Sequence, residues 1–556
     1  MRFQYAHAAF FGYPGGSDIW SQTGAFPDER LSRSTRQYRF PSLSYGNSYD
    51  YISPESRWEF RDTFSLNLAR HTVKFGGEYN YNPYVSEWAG SLASVGGSYS
   101  FTFDQPFDPN DPVSVANLTG ASNYSANTAP TTVSHPSHYY VAFVQDDWRI
   151  RSNLTLNLGL RYERLYGPAN EDLDLSDFPV PLPFVDPSER GDTNNIGPRI
   201  GFAWDTAGNG ATVLRGAYGL YYGHIRMLGT LDEFNNFKNY SITISDPSYP
   251  DPFNGRDPSD FIVDEAAPNI VVVSNDMVQP KSQQASVGIS RRLNDAFAVH
   301  VDAVYNRTEG DYKNLDINPV DPATGVRPMP EFGQINQVRP DALVKYKAVY
   351  VKLDKRFSRN NQFMVSYTFT DSDDNNPMGR YLDPFDLSLD WGPSGGERRH
   401  AIVASGSVLL PWDITLGTVW TYRSQLPWSA TAGRDLNGDD FTSDLVPGTT
   451  RNSGSRDLNL GAVNAYRALN GLPPVSEGDI ASSRINIVDL RVSKSIPLPG
   501  GRKIDLMAQA FNLFNTENLQ AQFGSGRVGN ALSPTFGSIQ SARPATQVEL
   551  AVRVNW

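Results

Sequence analysis

The stretch VELAVRVNW, Val548 to Trp556, is the segment whose reading decides the fold. Side chains of an extended strand alternate faces with a period of two, so Val548, Leu550, Val552, Val554 and Trp556 share one face. Glu549, Ala551, Arg553 and Asn555 take the other. In a soluble sheet such an apolar face covers a core, whereas in a membrane barrel it meets lipid. The rest of the chain has to separate the two.

The same alternation recurs upstream. In NLTLNLGLRYE, Leu154, Leu156, Leu158, Leu160 and Tyr162 share a face. In DAFAVHVDAVYN, Phe297, Val299, Val301, Ala303 and Tyr305 lie opposite His300 and Asp302. NQFMVSYTF repeats the pattern with Phe363, Val365, Tyr367 and Phe369, and WDITLGTVWTYR with Trp412, Ile414, Leu416, Trp420 and Tyr422. These runs are about ten to thirteen residues long, where soluble strands average about five or six.

The connections alternate in length without a break. Reading back from Trp556, the long gaps are 515–545, 424–482, 373–397, 309–341, 224–279, 166–195 and 88–137. Each is followed upstream by a tight one, at Leu498–Gly501, Leu410–Pro411, Ser358–Asn361, Asn294, Ala207–Asn209, Arg149–Ser152 and Arg70. A sandwich has no reason to sort its connections this way, but an outer-membrane barrel has short periplasmic turns and long extracellular loops. The expectation is an all-β, transmembrane antiparallel β-barrel over 1–556, with about sixteen or seventeen strands legible and 424–482 as its longest loop.

Composition agrees. The 556 residues show no charge block or linker dividing them, 12% are aromatic, and turn formers recur in clusters. A net charge of −12 with no basic stripe argues against nucleic acid as a partner. Absence of cysteine removes disulfides and thiolate chemistry. No apolar run is long enough for a membrane-crossing helix, and the N-terminal MRFQYAHAAFFGYPGG, with Gln4 and His7 early, reads poorly as a secretory signal.

Several segments, taken together, resemble the barrel of TonB-dependent outer-membrane receptors, with the Oar-like subgroup the nearest likeness. They are YYVAFVQDDW (139–148), LTLNLGLRYE (154–163), GPRIGFAWD (197–205), RGAYGLYY (215–222), ERRHAIVASGSVLLP (397–411), GRDLNGDD (433–440) and AFNLFN (510–515). The resemblance implies the outer membrane of a diderm bacterium, uptake of a bulky ligand by extracellular loops, a luminal plug, and the TonB system as partner. It also implies that Val548, Leu550, Val552, Val554 and Trp556 face lipid and signal to the barrel-assembly machinery. No plug-like segment or TonB box is legible before the first strands, and plugged transporters have 22 strands. The chain is therefore expected to be the C-terminal part of a longer receptor; a self-contained porin-like channel and a barrel-anchored surface scaffold or adhesin are the alternatives.

Candidate sites are sparse. In DLNGDDFTSD, Asp435, Asn437 and Asp439 occupy the first, third and fifth positions of a calcium loop, and Asp444 could replace the missing bidentate Glu. Asp440 stands where the sharp turn favours Gly, so a solvated acidic loop is the competing reading. Aromatic residues of the long loops, Phe234, Phe237, Tyr240, Tyr249, Phe253, Tyr381, Phe385 and Trp391, are candidates for stacking on ligand, or else pack the loops on one another. The seven histidines, His135, His138, His300 and His400 among them, form no metal pattern. Asp146 and Asp147 are adjacent and should point to opposite faces of a strand. No catalytic fingerprint is present and no cofactor other than Ca²⁺ is expected.

Overall fold

A computed structural model describes residues 2–12, 37–46, 51–84, 97–108, 111–128, 136–236, 240–263, 267–521 and 527–555. Trp556, His135 and Phe237 lie outside them.

Sixteen strands pair antiparallel in sequence order: β1 (Arg2–Gly12), β2 (Tyr51–Leu68), β3 (His71–Tyr84), β4 (Ser137–Arg151), β5 (Leu154–Tyr166), β6 (Ile196–Asp205), β7 (Thr212–Tyr222) and β8 (Lys281–Arg292), then β9 (Phe297–Asp316), β10 (Ile335–Ser358), β11 (Asn361–Asp374), β12 (His400–Leu410), β13 (Ile414–Arg423), β14 (Ile485–Pro497), β15 (Lys503–Phe511) and β16 (Gln547–Asn555). Two short segments, Ile270–Val273 and Gly392–Pro393, join the same sheet and bring it to 18 strands among the described residues.

Register carries the alternating pattern across strands. Leu214 stands opposite Ile289, Ile289 opposite Val301, Val301 opposite Val351, Val351 opposite Tyr367, Tyr367 opposite Ile402 and Ile402 opposite Tyr422. One rung away, Arg215, Gly288, Asp302, Tyr350, Thr368 and Ala401 run along the other face. The sheet therefore has one continuous apolar surface and one polar surface, the arrangement of a barrel with lipid outside and a wet lumen. Val548, Leu550, Val552 and Val554 lie on the apolar surface, 66%, 80%, 67% and 49% exposed, because β16 takes its register from β15 alone among the described residues.

The tight connections between β2 and β3, β4 and β5, and onward to β14 and β15 all gather at one end. At Ser358–Asn361 the two central residues, Arg359 (φ 51°) and Asn360 (φ 62°), are both left-handed, which matches the twist of the flanking strands. Two expectations are corrected here. Trp412 belongs to the turn Pro411–Asp413 with φ 64° and not to the apolar row of β13. The 309–341 connection is strand at both its ends: β9 and β10 stay paired through Asp316 and Asn336, with bulges near Glu309, Asp311 and Lys313, and only the stretch between Asp316 and Ile335 is loop. At ~3.3 Å per residue, strands of 20 and 24 residues extend well past a bilayer.

Above the rim, the long connections fold together. A second sheet orders Ile262–Val263, Tyr240–Ser245, Ala121–Thr128, Ser98–Phe101, Gln37–Arg39 and Ser44–Gly46 side by side. Tyr38, Phe40, Tyr99, Phe101, Tyr124, Ile242 and Phe253 form the core beneath it. The dry interior of this protein sits largely in the loops.

Candidate functional site

The loops form a canopy latched by charges that water does not reach. Arg190 grips Glu233 in a fork, with Nη1 to Oε2 at 2.7 Å and Nη2 to Oε1 at 2.8 Å, and both side chains are 0% exposed. The carboxylate also accepts from the Val273 amide and from Asn170 Nδ2, each at 2.8 Å. One node thus ties loop 167–195 to loop 223–280. A second node joins the β9–β10 extension to loop 375–399: Lys313 Nζ lies 2.7 Å from Asp390 Oδ1 and 4.2 Å above the Tyr381 ring. Burial pushes the Asp390 carboxyl above its ordinary value, with Lys313 opposing. Arg451, from loop 424–484, donates to Asp374 and to the carbonyls of Asp390 and Gly392. Arg467, on the helix Leu460–Leu469, reaches the Ala531 and Ser533 carbonyls at 2.6 and 2.9 Å.

This packing sorts the aromatic candidates. Phe253 is buried in the loop core, Tyr249 meets Tyr99 edge-on at 5.1 Å, Phe234 is half-buried, and Tyr381 is buried with its hydroxyl donating to Asp341. Tyr240 begins a strand of the loop sheet. Phe385 and Trp391 remain on the surface, the latter 4.9 Å from Lys345 Nζ. Loop packing therefore accounts for Tyr249, Phe253 and Tyr381, leaving Phe385 and Trp391 available to solvent.

In the acidic loop the carboxylates serve the backbone. Asp435 accepts from the amides of Asn437, Gly438 and Asp440, Asp439 from Phe441, and Asp444 from Leu436. Asp440 adopts the left-handed conformation (φ 69°) that its position in the turn requires. Among the described residues no group of three or more His, Asp or Glu is arranged to hold a metal ion. Burial first, then the neighbouring carboxylates, raise Asp439 and Asp444 above the usual 3.8, Asp439 also being opposed by its Phe441 amide bond and Asp444 by that of Leu436. An acid whose folded value is raised holds its proton more tightly in the folded state, so stability is lost as pH climbs from 3.8 through the folded value. The protection factor of the 435–444 amides, which is exchange corrected for its intrinsic pH dependence, is accordingly expected to be higher at pH 4 than at pH 7. A lower protection factor at pH 4 would contradict that sign, and a rise in protection on adding millimolar Ca²⁺ at pH 7 would show that the loop takes the cation.

The lumen wall carries complementary charges in mid-strand. Arg215 donates to both Asp302 oxygens at 2.6 Å, passing over Gly288, where an added Cβ would lie 2.0 Å from Asp302 Oδ1. His300 sits on this face, 3.4 Å from Asp354, as the alternation required. Asp146 and Asp147 diverge as expected: Asp146 bonds His71 and Asp147 accepts from Asn157. His138 lies within β4, stacked near Tyr79 and Tyr81, and not in a loop. A cavity of about 800 Å³ against the wall is lined by His300, Lys352, Asp354, Asp489, Arg491 and Gln509.

A family model described as outer membrane beta barrel domain matches residues 2–553. Among solved structures, the outer membrane transporter YddB from Escherichia coli is similar at 11% identity and TM-score 0.51, covering 93% of this chain and 57% of that one. The FrpB iron transporter from Neisseria meningitidis (11% identity, 90% and 55% covered, TM-score 0.44) and the ferric enterobactin receptor PfeA from Pseudomonas aeruginosa (12%, 92% and 55%, 0.47) are further matches. The chain spans a little over half the length of each. No curated protein sequence matches it. With its lipid-facing register and its sorted connections, the chain belongs to the outer membrane beta barrel domain family and resides in the outer membrane of a Gram-negative bacterium.

Proposed function

We propose that this chain is the barrel of a TonB-dependent transporter or receptor that admits a bulky ligand through its extracellular canopy. The observation that carries the reading is the canopy itself: loops cross-linked by the buried Arg190–Glu233 and Lys313–Asp390 pairs present a fixed surface. A passive sieve needs no such construction, and preorganised loops lower the ordering cost of capturing a ligand. Similarity to the barrel of an outer membrane transporter, YddB, supports the same reading. Phe385 and Trp391 are the aromatic contacts proposed for ligand, and Asp435, Asn437, Asp439 and Asp444 the proposed Ca²⁺ loop. Val548, Leu550, Val552, Val554 and Trp556 are proposed to engage the barrel-assembly machinery.

The test uses the full-length protein as cells make it. Purified protein in planar bilayers is expected to show no resting conductance and to bind the periplasmic domain of TonB. Steady open-pore conductance without TonB binding would replace this reading with the passive channel. A closed protein that binds no TonB but loses surface adhesion when 424–484 is removed would replace it with the scaffold.

A further inference from the structure

A cavity of about 430 Å³ lies at the outer rim of the barrel, roofed by loop 424–484 and walled by loop 375–399. Its size is within the ~300–1,000 Å³ of ligand pockets. Its floor belongs to the lipid-facing surface. His400 stands opposite Phe369, Tyr422 opposite Ile402, and Asn486 opposite Tyr422. Tyr367, hydrogen-bonded to His400 at 2.9 Å, and Trp420, bonded to Asn486 at 2.8 Å, continue this surface below it. These aromatic and amphipathic side chains mark the level of the headgroups.

The cavity is built of hydrogen-bonding groups. Glu397, Arg399, Arg456, Asp457, Gln425 and Arg484 face it, with serines between them. Glu397 is 5% exposed; its Oε2 takes Arg456, while its Oε1 is buried without a hydrogen-bond partner among the described residues. Buried polar atoms in native proteins are nearly always paired, so an orphan acceptor on a cavity wall points to a donor that the protein does not supply. Arg484 and Asp457 make no ion pair among the described residues, leaving a cation and an acceptor available together. The walls are fixed: Arg398 Nη1 donates to the Ser424 and Ser483 carbonyls at 2.6 and 2.7 Å, and Gln425 donates to the Ser455 carbonyl at 2.9 Å.

We infer that this cavity binds the sugar headgroup of a glycolipid in the outer leaflet. Sugar hydroxyls both donate and accept, which suits a wall holding carboxylates, guanidinium groups and an amide side by side. A floor that faces lipid places the acyl chains along β12 and β13, where Ile402 and Tyr422 line the surface. A soluble sugar would gain nothing from that floor.

The full-length protein in nanodiscs containing deep-rough lipopolysaccharide is expected to retain the glycolipid after detergent exchange, read by native mass spectrometry. Arg484→Ala and Asp457→Ala should each weaken retention about tenfold, the loss expected from one or two hydrogen bonds to charged or polar groups. Lys503→Ala, at the opposite end, should not. Unchanged resistance to heat in gel mobility would show that the variants are folded. Equal retention of phosphatidylglycerol would overturn the assignment to a sugar. Equal affinity for the deacylated oligosaccharide would overturn the assignment to a lipid, and no retention by the unaltered protein would overturn both.

Discussion

Replacing Glu233 with alanine is expected to unlatch the canopy while leaving the strands below it in place. Arg190 would then be a fully buried guanidinium without its counter-charge, a change that costs about 3–5 kcal/mol. The comparison with Arg256 and Asp260 on the same loop shows why burial decides the size. That pair meets at 3.2 Å, but its side chains are 58% and 47% exposed, and breaking it should cost well under ~1 kcal/mol. The loss should be local, since Arg190, Glu233 and Asn170 lie beyond the ends of the sixteen long strands and Val273 belongs only to the short segment Ile270–Val273. Amide exchange and tryptic cleavage in 167–195 and 223–280 should rise by orders of magnitude, with β4–β7 still protected. A joint replacement of Arg190 by Met and Glu233 by Leu should restore most of the protection, because the penalty comes from the orphaned charge and not from lost attraction. Unchanged cleavage in the single variant would mean that the latch does not hold the loops.

What the sequence shows of this fold, and what it hides, follows from the range of the interactions. Period-two alternation and turn chemistry are local, so β5, β11, the first part of β9 from Phe297 to Asn306, and the turn at Ser358–Asn361 are legible residue by residue. β1 escapes that reading because His7 interrupts the row of Phe3, Tyr5, Ala9 and Phe11, and the strand is evident only from its register with β2. The loop sheet is hidden for a different reason. Gln37–Arg39 pairs in parallel with Ser98–Phe101 some 60 residues away, and Tyr240–Ser245 pairs with Ala121–Thr128 across still more chain. Nothing local records such partners. The aromatic candidates fail in the same way, since Phe253 in the loop core and Phe385 at the surface sit in equally polar, turn-rich surroundings. Arg190, Glu233, Lys313 and Asp390, which organise the canopy, carry no signal in the sequence, because a buried ion pair is a property of distant residues meeting.

Placing arginine at Val287 should separate a lipid-facing surface from a core-facing one by sign. Val287 is at the middle of β8, 60% exposed, opposite Gly216 on β7 and Ala303 on β9. In water an exposed valine gains or loses little on becoming arginine. At a bilayer midplane the same change costs about 2–4 kcal/mol, falling to about 0–1 near the interfaces. The chain already obeys that gradient on this face: Lys281 and Arg291 stand toward the two ends of β8, while Ala285, Val287 and Ile289 fill its centre. Ser286, one residue away on the luminal face, lies opposite Ala217 and Val304. Arginine there enters a wet, charged lumen and should be nearly neutral. Refolding into vesicles, followed by denaturant titration, should therefore rank Val287→Arg far below Ser286→Arg, with Gln283→Arg, nearer the extracellular rim, in between. A soluble sheet with its core on the other side would invert the order, because Ser286→Arg would then bury the charge. The ranking of three substitutions on one strand thus measures which face of the ribbon meets lipid and how deep each residue lies.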